Sequence, residues 1–451
     1  MNNKVYVYKT QPDYQIIDKE KIYIRKYVLS ELDDIICQGN TVVLKPNFVK
    51  ESHMKKKNEW EYVITHSEII RLVLNYVVNL LNNEGKIYIV DAPQTDSDYE
   101  KIIKNIGLKE IVEEVQKNTN VVIEYFDLRE ERWFYKEGII VKKKKLVGDP
   151  NGYVSINLAE QSEFYGKENK KFYGADYDMT ETARYHNDID NIYVVSKTIL
   201  SADVFINLPK MKTHKLAGIT CCLKNLVGTC VIKNSIPHHT LGSPEDGGDK
   251  FKKYSNKNET ENTLKNIALN VLKLKNPLIN YPFIIIKKFA GLFLGSADKE
   301  IIRNGMWYGN DTIWRSCLDL NKILLYADKE GVMRDKIQRK YFAVVDGIIA
   351  GEKNGPMEPD AKSAGVLISG TNPVAVDTVA ATIMGFDYKK VPSIRNAYEI
   401  KNYPLVSYDA EDIAIDSNVS SWCDKVSDIL YEDSLKFEPH YGWKGYIEKR
   451  Y

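Results

Sequence analysis

The stretch from Thr41 to Gln94 carries the pattern that most narrows the fold. TVVLKPNF (Thr41 to Phe48) is a short apolar run stopped by Lys-Pro-Asn. Pro46 has no N–H to continue a central ladder, so a buried strand is predicted to end at Lys45. THSEIIRLVLNYVVNLL follows with helical apolar spacing, and Thr65 with Glu68 three residues on reads as a capping box. KIYIVDAPQ (Lys86 to Gln94) is a second strand with Asp91 at its end. Strand, helix and strand with short connections make a crossover unit, which requires a parallel sheet.

The same reading extends along the chain. VVIEYFDL (Val121 to Leu128) and ADVFINLPK (Ala202 to Lys210) are further strands. DTIWRSCLDLNKILLYA is a helix with Asp311 as its cap, and Arg315 and Asp319 are spaced for an i, i+4 ion pair. YFAVVDGIIAGEKNGP is a strand ending at Asp346 and followed by a Gly-rich loop. AGVLISGTNPVAVDTVAATIMGF gives one more strand and a helix from about Pro373. The expected fold is α/β: a mainly parallel sheet with flanking helices and large polar insertions. Residues 1–230 and 311–430 would form its core. Residues 129–190 read as a polar elaboration, with Lys142–Lys145 on a solvated face. Residues 231–310 read as an insertion, and 431–451 as an aromatic and charged tail.

Composition removes several classes. With 63 basic and 62 acidic side chains, the chain lacks the basic excess of a general nucleic-acid binder. Six cysteines in 451 residues form neither a disulfide framework nor a cluster-ligating run. The start, MNNKVYVYKT, lacks the apolar core of a signal peptide. Together these point to a reducing cytoplasm. No uninterrupted apolar run is long enough to span a membrane. The nearest, Asn276 to Gly295, is interrupted by Lys287 and Lys288; it reads as a buried segment or as an interfacial one.

Against that balance stands NLPKMKTHKLAGITCCLKNLVGTC, from Asn207 to Cys230. It places Lys210, Lys212, His214, Lys215 and Lys224 within fifteen residues, beginning where a buried strand ends. Ligands of open parallel sheets bind outside the carboxyl ends of the strands, so these lysines are placed to hold a phosphate or carboxylate. Lys45, Asn47, Lys210 and Arg315 are the candidate substrate-binding residues, and Lys212, Lys224 and His214 the candidate catalytic ones. Lysine beside His214 would depress its pKa and leave a neutral imidazole. Asp91, Asp346, His238 and His239 are the candidate metal ligands. The two histidines precede Glu245, Asp246 and Asp249 in IPHHTLGSPEDGGDKF, which reads as a metal or phosphate loop or as a polar turn. Asp377 sits early in its helix, where the macrodipole favours negative charge. Cys221, Cys222 and Cys230 read either as buried thiols or as ligands. There is no Walker loop and no GxGxxG.

KPNFV, LPKMKTHKLAGITCCLKNLVG, and VDGIIAGEKNGP with GTNPVAVDTVAATIMG resemble the domain-of-unknown-function 362 family over roughly residues 40 to 390. Some members of that family carry a ferredoxin-like iron–sulfur segment; this chain lacks the cysteine runs for one. The Leu-Lys-Asn-Leu-x-Gly segment is similar to a lysine-containing loop of nickel-dependent lactate racemases.

The expected function is a cytoplasmic enzyme acting on an anionic, phosphorylated or carboxylated small molecule, assisted by a divalent metal, Mg or Mn, with nickel or iron as alternatives. The other readings are an isomerase or racemase moving a proton beside a lysine-linked or metal cofactor, and a protein that handles a metal or cofactor.

Overall fold

A computed structural model describes residues 2–136, 139–175, 179–253 and 304–449. Among them one ten-stranded sheet dominates. From one edge its order is Ala414–Ser417, Lys4–Lys9, Glu358–Gly370, Lys340–Asn354, Val204–Leu208, Thr41–Pro46, Lys86–Asp91 and Val122–Asp127. The five neighbours from Lys340–Asn354 to Val122–Asp127 are all mutually parallel. Antiparallel pairing is confined to the other end and to the short Lys210–His214 and Gly218–Thr220 pair. The fold is therefore α/β with a mostly parallel sheet.

Side-chain alternation along the strands fills two cores. Val43, Phe205, Ala343 and Val345 face helices Ile313–Tyr326 and Pro373–Met384. Val42, Leu44, Ile206, Phe342 and Val344 face helices Ser67–Leu81, Tyr99–Ile106 and Leu108–Gln116. Each buried Val, Leu or Ile contributes roughly 1.5–3 kcal/mol relative to exposure, so helices on both sheet faces are the stable solution for strands apolar on both sides.

Several local expectations are corrected. The Ser67–Leu81 helix is capped by His66, whose Nδ1 accepts the Glu68 N–H at 3.1 Å. Thr65 is diverted instead to Leu208 O and the Asn47 N–H. At the Ile313–Tyr326 helix it is Asn310, not Asp311, whose side-chain Oδ1 accepts the Thr312 and Ile313 N–H groups. Arg315 reaches back to Asp311 at 2.9 Å, while Asp319 takes Ser162 and Tyr193 hydroxyls. The strand expected to stop at Asp346 continues to Asn354 and turns into a long hairpin with Glu358–Gly370. Among the described residues no helix is long and apolar enough to cross a membrane. The Asn276–Gly295 segment, and residues 254–303 of the expected insertion, lie outside the described residues.

Candidate functional site

Strand order reverses beside Thr41–Pro46. The chain moves outward through Lys86–Asp91 and Val122–Asp127, then returns to lay Val204–Leu208 on the other side. Such a switch opens a crevice at the carboxyl ends of the two central strands. Lys45 and Asn207 are register partners there. Asn225, carried back by the one-turn helix Cys222–Asn225, closes the crevice floor. Its Nδ2 donates to Asn207 Oδ1 at 2.7 Å and to Lys45 O at 3.3 Å. Its Oδ1 accepts from Asn47 at 2.9 Å and from Lys45 Nζ at 3.2 Å. Lys45 also pairs with Asp91 at 2.7 Å, both buried. Burial lowers the Lys45 pKa, Asp91 opposes that, and Lys224 adds to it. Gly228 packs against this pair: a Cβ there would overlap Asp91 Oδ1 and stand 2.5 Å from Lys45 Nζ.

The Lys210–His214 strand brings in Lys212, whose ammonium donates to Asn47 Oδ1 at 2.9 Å and to Val63 O at 2.5 Å. Among the described residues no carboxylate pairs with it. Burial, then Lys210 and Lys224, hold its pKa well below the usual lysine value. His214 Nδ1 accepts the Leu216 and Ala217 N–H groups at 3.0 and 3.1 Å. That fixes the neutral ring as the Nε2–H tautomer, a hydrogen-bond donor. Burial and the Lys224, Lys215 and Lys212 charges keep the ring neutral, in the direction its lysine neighbours predict.

His238 has the opposite tautomer. Its Nδ1 lies 2.7 Å from Ile236 O; a carbonyl only accepts, so Nδ1 carries the proton and Nε2 a free lone pair. Burial, then Lys224, depress its pKa to about 4. His239 stacks on Tyr173 with ring centroids 4.7 Å apart. Lys233 donates to the Val227 and Cys230 carbonyls at 3.1 and 2.9 Å, and burial lowers its pKa to about 8.

These groups line one cavity of about 240 Å³, together with Lys215, Lys224, Gln94, Thr95 and Thr220. The Lys215 and Lys224 side chains make no hydrogen bond or ion pair with the described residues, and burial lowers the pKa of both. Thr220 Oγ1 and Gln94 Oε1 are buried without a partner among the described residues. Of the carboxylates among the described residues, only Asp91 lines this cavity, and it already holds Lys45.

The structure thus brings together Lys45, Asn47, Asp91, Lys212, His214, Lys224, His238 and His239. It separates three expected members. Lys210 and Asp346 form a buried pair at 2.5 Å, bridged by the Tyr14 hydroxyl, which lies 2.7 Å from Lys210 and 2.8 Å from Asp346 Oδ1. The physical reason is strand parity: Asp346 follows Val344 onto the face opposite Val43 and Lys45. Arg315 is spent on Asp311 and Glu163 O, away from the cavity. Nor do the acidic residues after the histidine pair join it. Asp249 takes the Thr240 and Asp311 N–H groups and the Thr312 hydroxyl, and Asp246 closes a capping box with Ser243.

Among the described residues, ligand-type atoms converge only at Cys221, Cys222 and Asp377, within 4.8 Å of one another. There Asp377 accepts the Cys222 and Leu223 N–H groups, capping the one-turn helix, and burial raises the Cys222 thiol to about 11. These are buried thiols around a capping carboxyl; Cys230 is likewise buried and free.

Lys233, Thr220, Gln94 and Gly228 were not legible as site residues, and Lys215 only as part of the basic run. Lys233 lies in the apparent insertion, and Gly228 carries no charge to attract notice; the Lys-Asn-Leu-x-Gly spacing that sets it beside Lys45 was the available signal.

The family model described as Domain of unknown function (DUF362) matches residues 42–150 and 141–382, and the chain belongs to that family. No curated protein sequence matches. Solved structures that are similar include a protein from Thermotoga maritima, at 10% identity and TM-score 0.31, covering 78% of this chain and 55% of that one. Another is the lactate racemase apoprotein from Thermoanaerobacterium thermosaccharolyticum, at 10% identity and TM-score 0.33, covering 84% of this chain and 57% of that one. The chain spans little more than half the length of either.

Proposed function

We propose that this member of the domain-of-unknown-function 362 family is a cytoplasmic enzyme that binds a small molecule bearing more than one negative charge and moves a proton on it. One observation carries the reading. Lys45, Lys212, Lys215, Lys224 and Lys233 line a single cavity whose one described carboxylate is Asp91. A cavity with that excess of buried amines is stabilised by an anion that returns the missing negative charge. Lys215 and Lys224, whose side chains have no partner among the described residues, are the groups it would meet. Thr220 adds an unsatisfied hydroxyl.

The two imidazoles supply the proton chemistry. His238 Nε2 can accept a proton, and His214 Nε2–H can donate a hydrogen bond to a developing oxyanion. A neutral acceptor and a neutral donor in one cavity suit isomerisation beside a carboxylate better than phosphoryl transfer, which relies on metal-bound phosphate oxygens. Mg²⁺ and Mn²⁺ take oxygen ligands. The described cavity residues do not assemble a set of these, so such an ion enters this reading only with oxygens that the ligand brings.

Calorimetry with phosphate, pyrophosphate, and di- and tricarboxylates tests the reading. Multivalent anions should bind, and Lys215→Gln and Lys224→Gln should each weaken binding by roughly 1.5–3 kcal/mol, the range for hydrogen bonds to charged groups. Undetectable binding of every multivalent anion at millimolar concentration would refute it.

A further inference from the structure

Four of the five cavity lysines have a visible reason to be ammonium ions or fixed donors. Lys45 faces Asp91, Lys212 serves Asn47 and Val63 O, and Lys233 serves two carbonyls. Lys215 feels the Glu358 carboxylate. Lys224 has none of these. Among the described residues the only group that favours its charge is the buried Cys317 thiol, while its own charge bears unfavourably on Lys45, Lys212, His214 and His238. A lysine without a counter-ion, desolvated and set among other cations, is the environment that yields a free amine nucleophile.

We propose, resting on the anion-binding reading above, that Lys224 condenses with the carbonyl carbon of a 2-oxo acid to form a Schiff base. The neighbouring lysines would hold the carboxylate next to that carbonyl, and the His214 Nε2–H would polarise the carbonyl oxygen. The Lys224 Nζ lone pair forms the new N–C bond as the C=O π pair moves to oxygen. His238 Nε2 takes one amine proton and returns it to the carbinolamine oxygen. The nitrogen lone pair then forms the C=N bond as the C–O bond breaks, and the oxygen leaves as water with a second proton taken from solvent. Carbonyl, amine and one proton become protonated imine plus water, with no oxidant or reductant consumed. The protonated imine withdraws electrons from the adjacent carbon, and so gives the proton transfer at that carbon its driving force.

The test is reductive trapping on the full chain. Pyruvate, oxaloacetate and 2-oxoglutarate are each incubated with the protein and cyanoborohydride, then intact mass and peptide mapping are recorded. The expected result is a single adduct of the acid's mass less one oxygen, located at Lys224. It should be absent in Lys224→Arg and retained in Lys109→Arg, an exposed lysine outside the cavity, both checked by thermal unfolding. No adduct with any of the three acids, or an adduct that maps elsewhere or equally onto the denatured protein, overturns the proposal. Calorimetry with the matching 2-hydroxy acids, which bind but cannot condense, runs in parallel. Binding without trapping rejects the Schiff base and leaves the anion site standing; absence of both rejects the two together.

Discussion

Replacing Gly228 by alanine sets two physical effects against each other. Gly228 lies in the short 3-10 turn Leu226–Thr229 and its φ is not in the left-handed region, so alanine is compatible with the backbone. On that ground alone the change stabilises by roughly 0.4–1 kcal/mol, because the unfolded chain loses freedom. The added methyl, however, would overlap Asp91 Oδ1 and stand 2.5 Å from Lys45 Nζ and 2.8 Å from Lys45 Cε. Lys45 cannot retreat easily, being held by Pro46 O and Asn225. Asp91 also accepts the Phe48 N–H at 2.7 Å. Separating a buried ion pair costs roughly 3–5 kcal/mol. The net expectation is a loss of about 2–4 kcal/mol, read as a lower urea midpoint at unchanged slope. The same change in an Asp91→Asn background should cost less, since the pair is already broken. A Gly228→Ala protein as stable as the parent would refute the claim that the glycine exists to admit the pair.

Three further outcomes follow from the structure. Burial is the leading cause that lowers the pKa of His66, His186, His214, His238 and His440, to about 3 at His66 and about 4 at His186, His238 and His440. Below about pH 6.5 the unfolded state binds these protons and the folded state resists them, so stability is full above that pH and falls toward pH 4. Asp249 and Asp377, raised to about 6, act with the opposite sign but are fewer; thermal unfolding at pH 7, 6 and 5 should show a falling midpoint, and a flat or rising one contradicts the histidine burial. Anion binding should take up protons at pH 8, because a bound anion raises the lowered lysine pKa values, Lys233 at about 8 among them; calorimetry in buffers of different ionisation enthalpy reads this, and proton release would contradict it. Tyr14→Phe should cost roughly 1–3 kcal/mol of stability by taking one hydrogen bond from each of the buried Asp346 and Lys210, yet leave anion affinity unchanged; a weakened affinity would put that pair back in the site.

The parallel sheet was readable because Pro46, the Ser67–Leu81 periodicity and the Lys86–Asp91 run agree on one crossover unit. Lys45, Asn47, Asp91 and the Lys212–Lys224 group could be placed at strand ends for the same reason. What failed was the step from strand end to cleft. Lys210 opens a short strand and Asp346 lies midway along Lys340–Asn354; parity sends Asp346 to the other face, and counting from Val344 would have shown it. The Arg315 error is one of direction: i+4 and i−4 carboxylates were both available, and spacing alone does not choose between Asp319 and Asp311. His66 displaced Thr65 as a cap because Thr65 has a better use, tying Asn47 to Leu208. Lys233 and His238 enter from a segment with no periodicity, so only the folded chain reveals what they face.

Asn225 uses both lone pairs and both N–H groups of its amide, and one of those bonds returns to Asn207, eighteen residues earlier. That bond ties into a closed ring the stretch that carries Lys210, Lys212, His214, Lys215 and Lys224. Closing a ring of this size costs conformational entropy that grows only slowly with its length, and the cost is met once, as the chain folds. An arriving anion therefore finds these basic side chains mounted on a frame already drawn shut. Its association needs no ordering of that stretch, which predicts fast, salt-sensitive capture rather than slow induced closure.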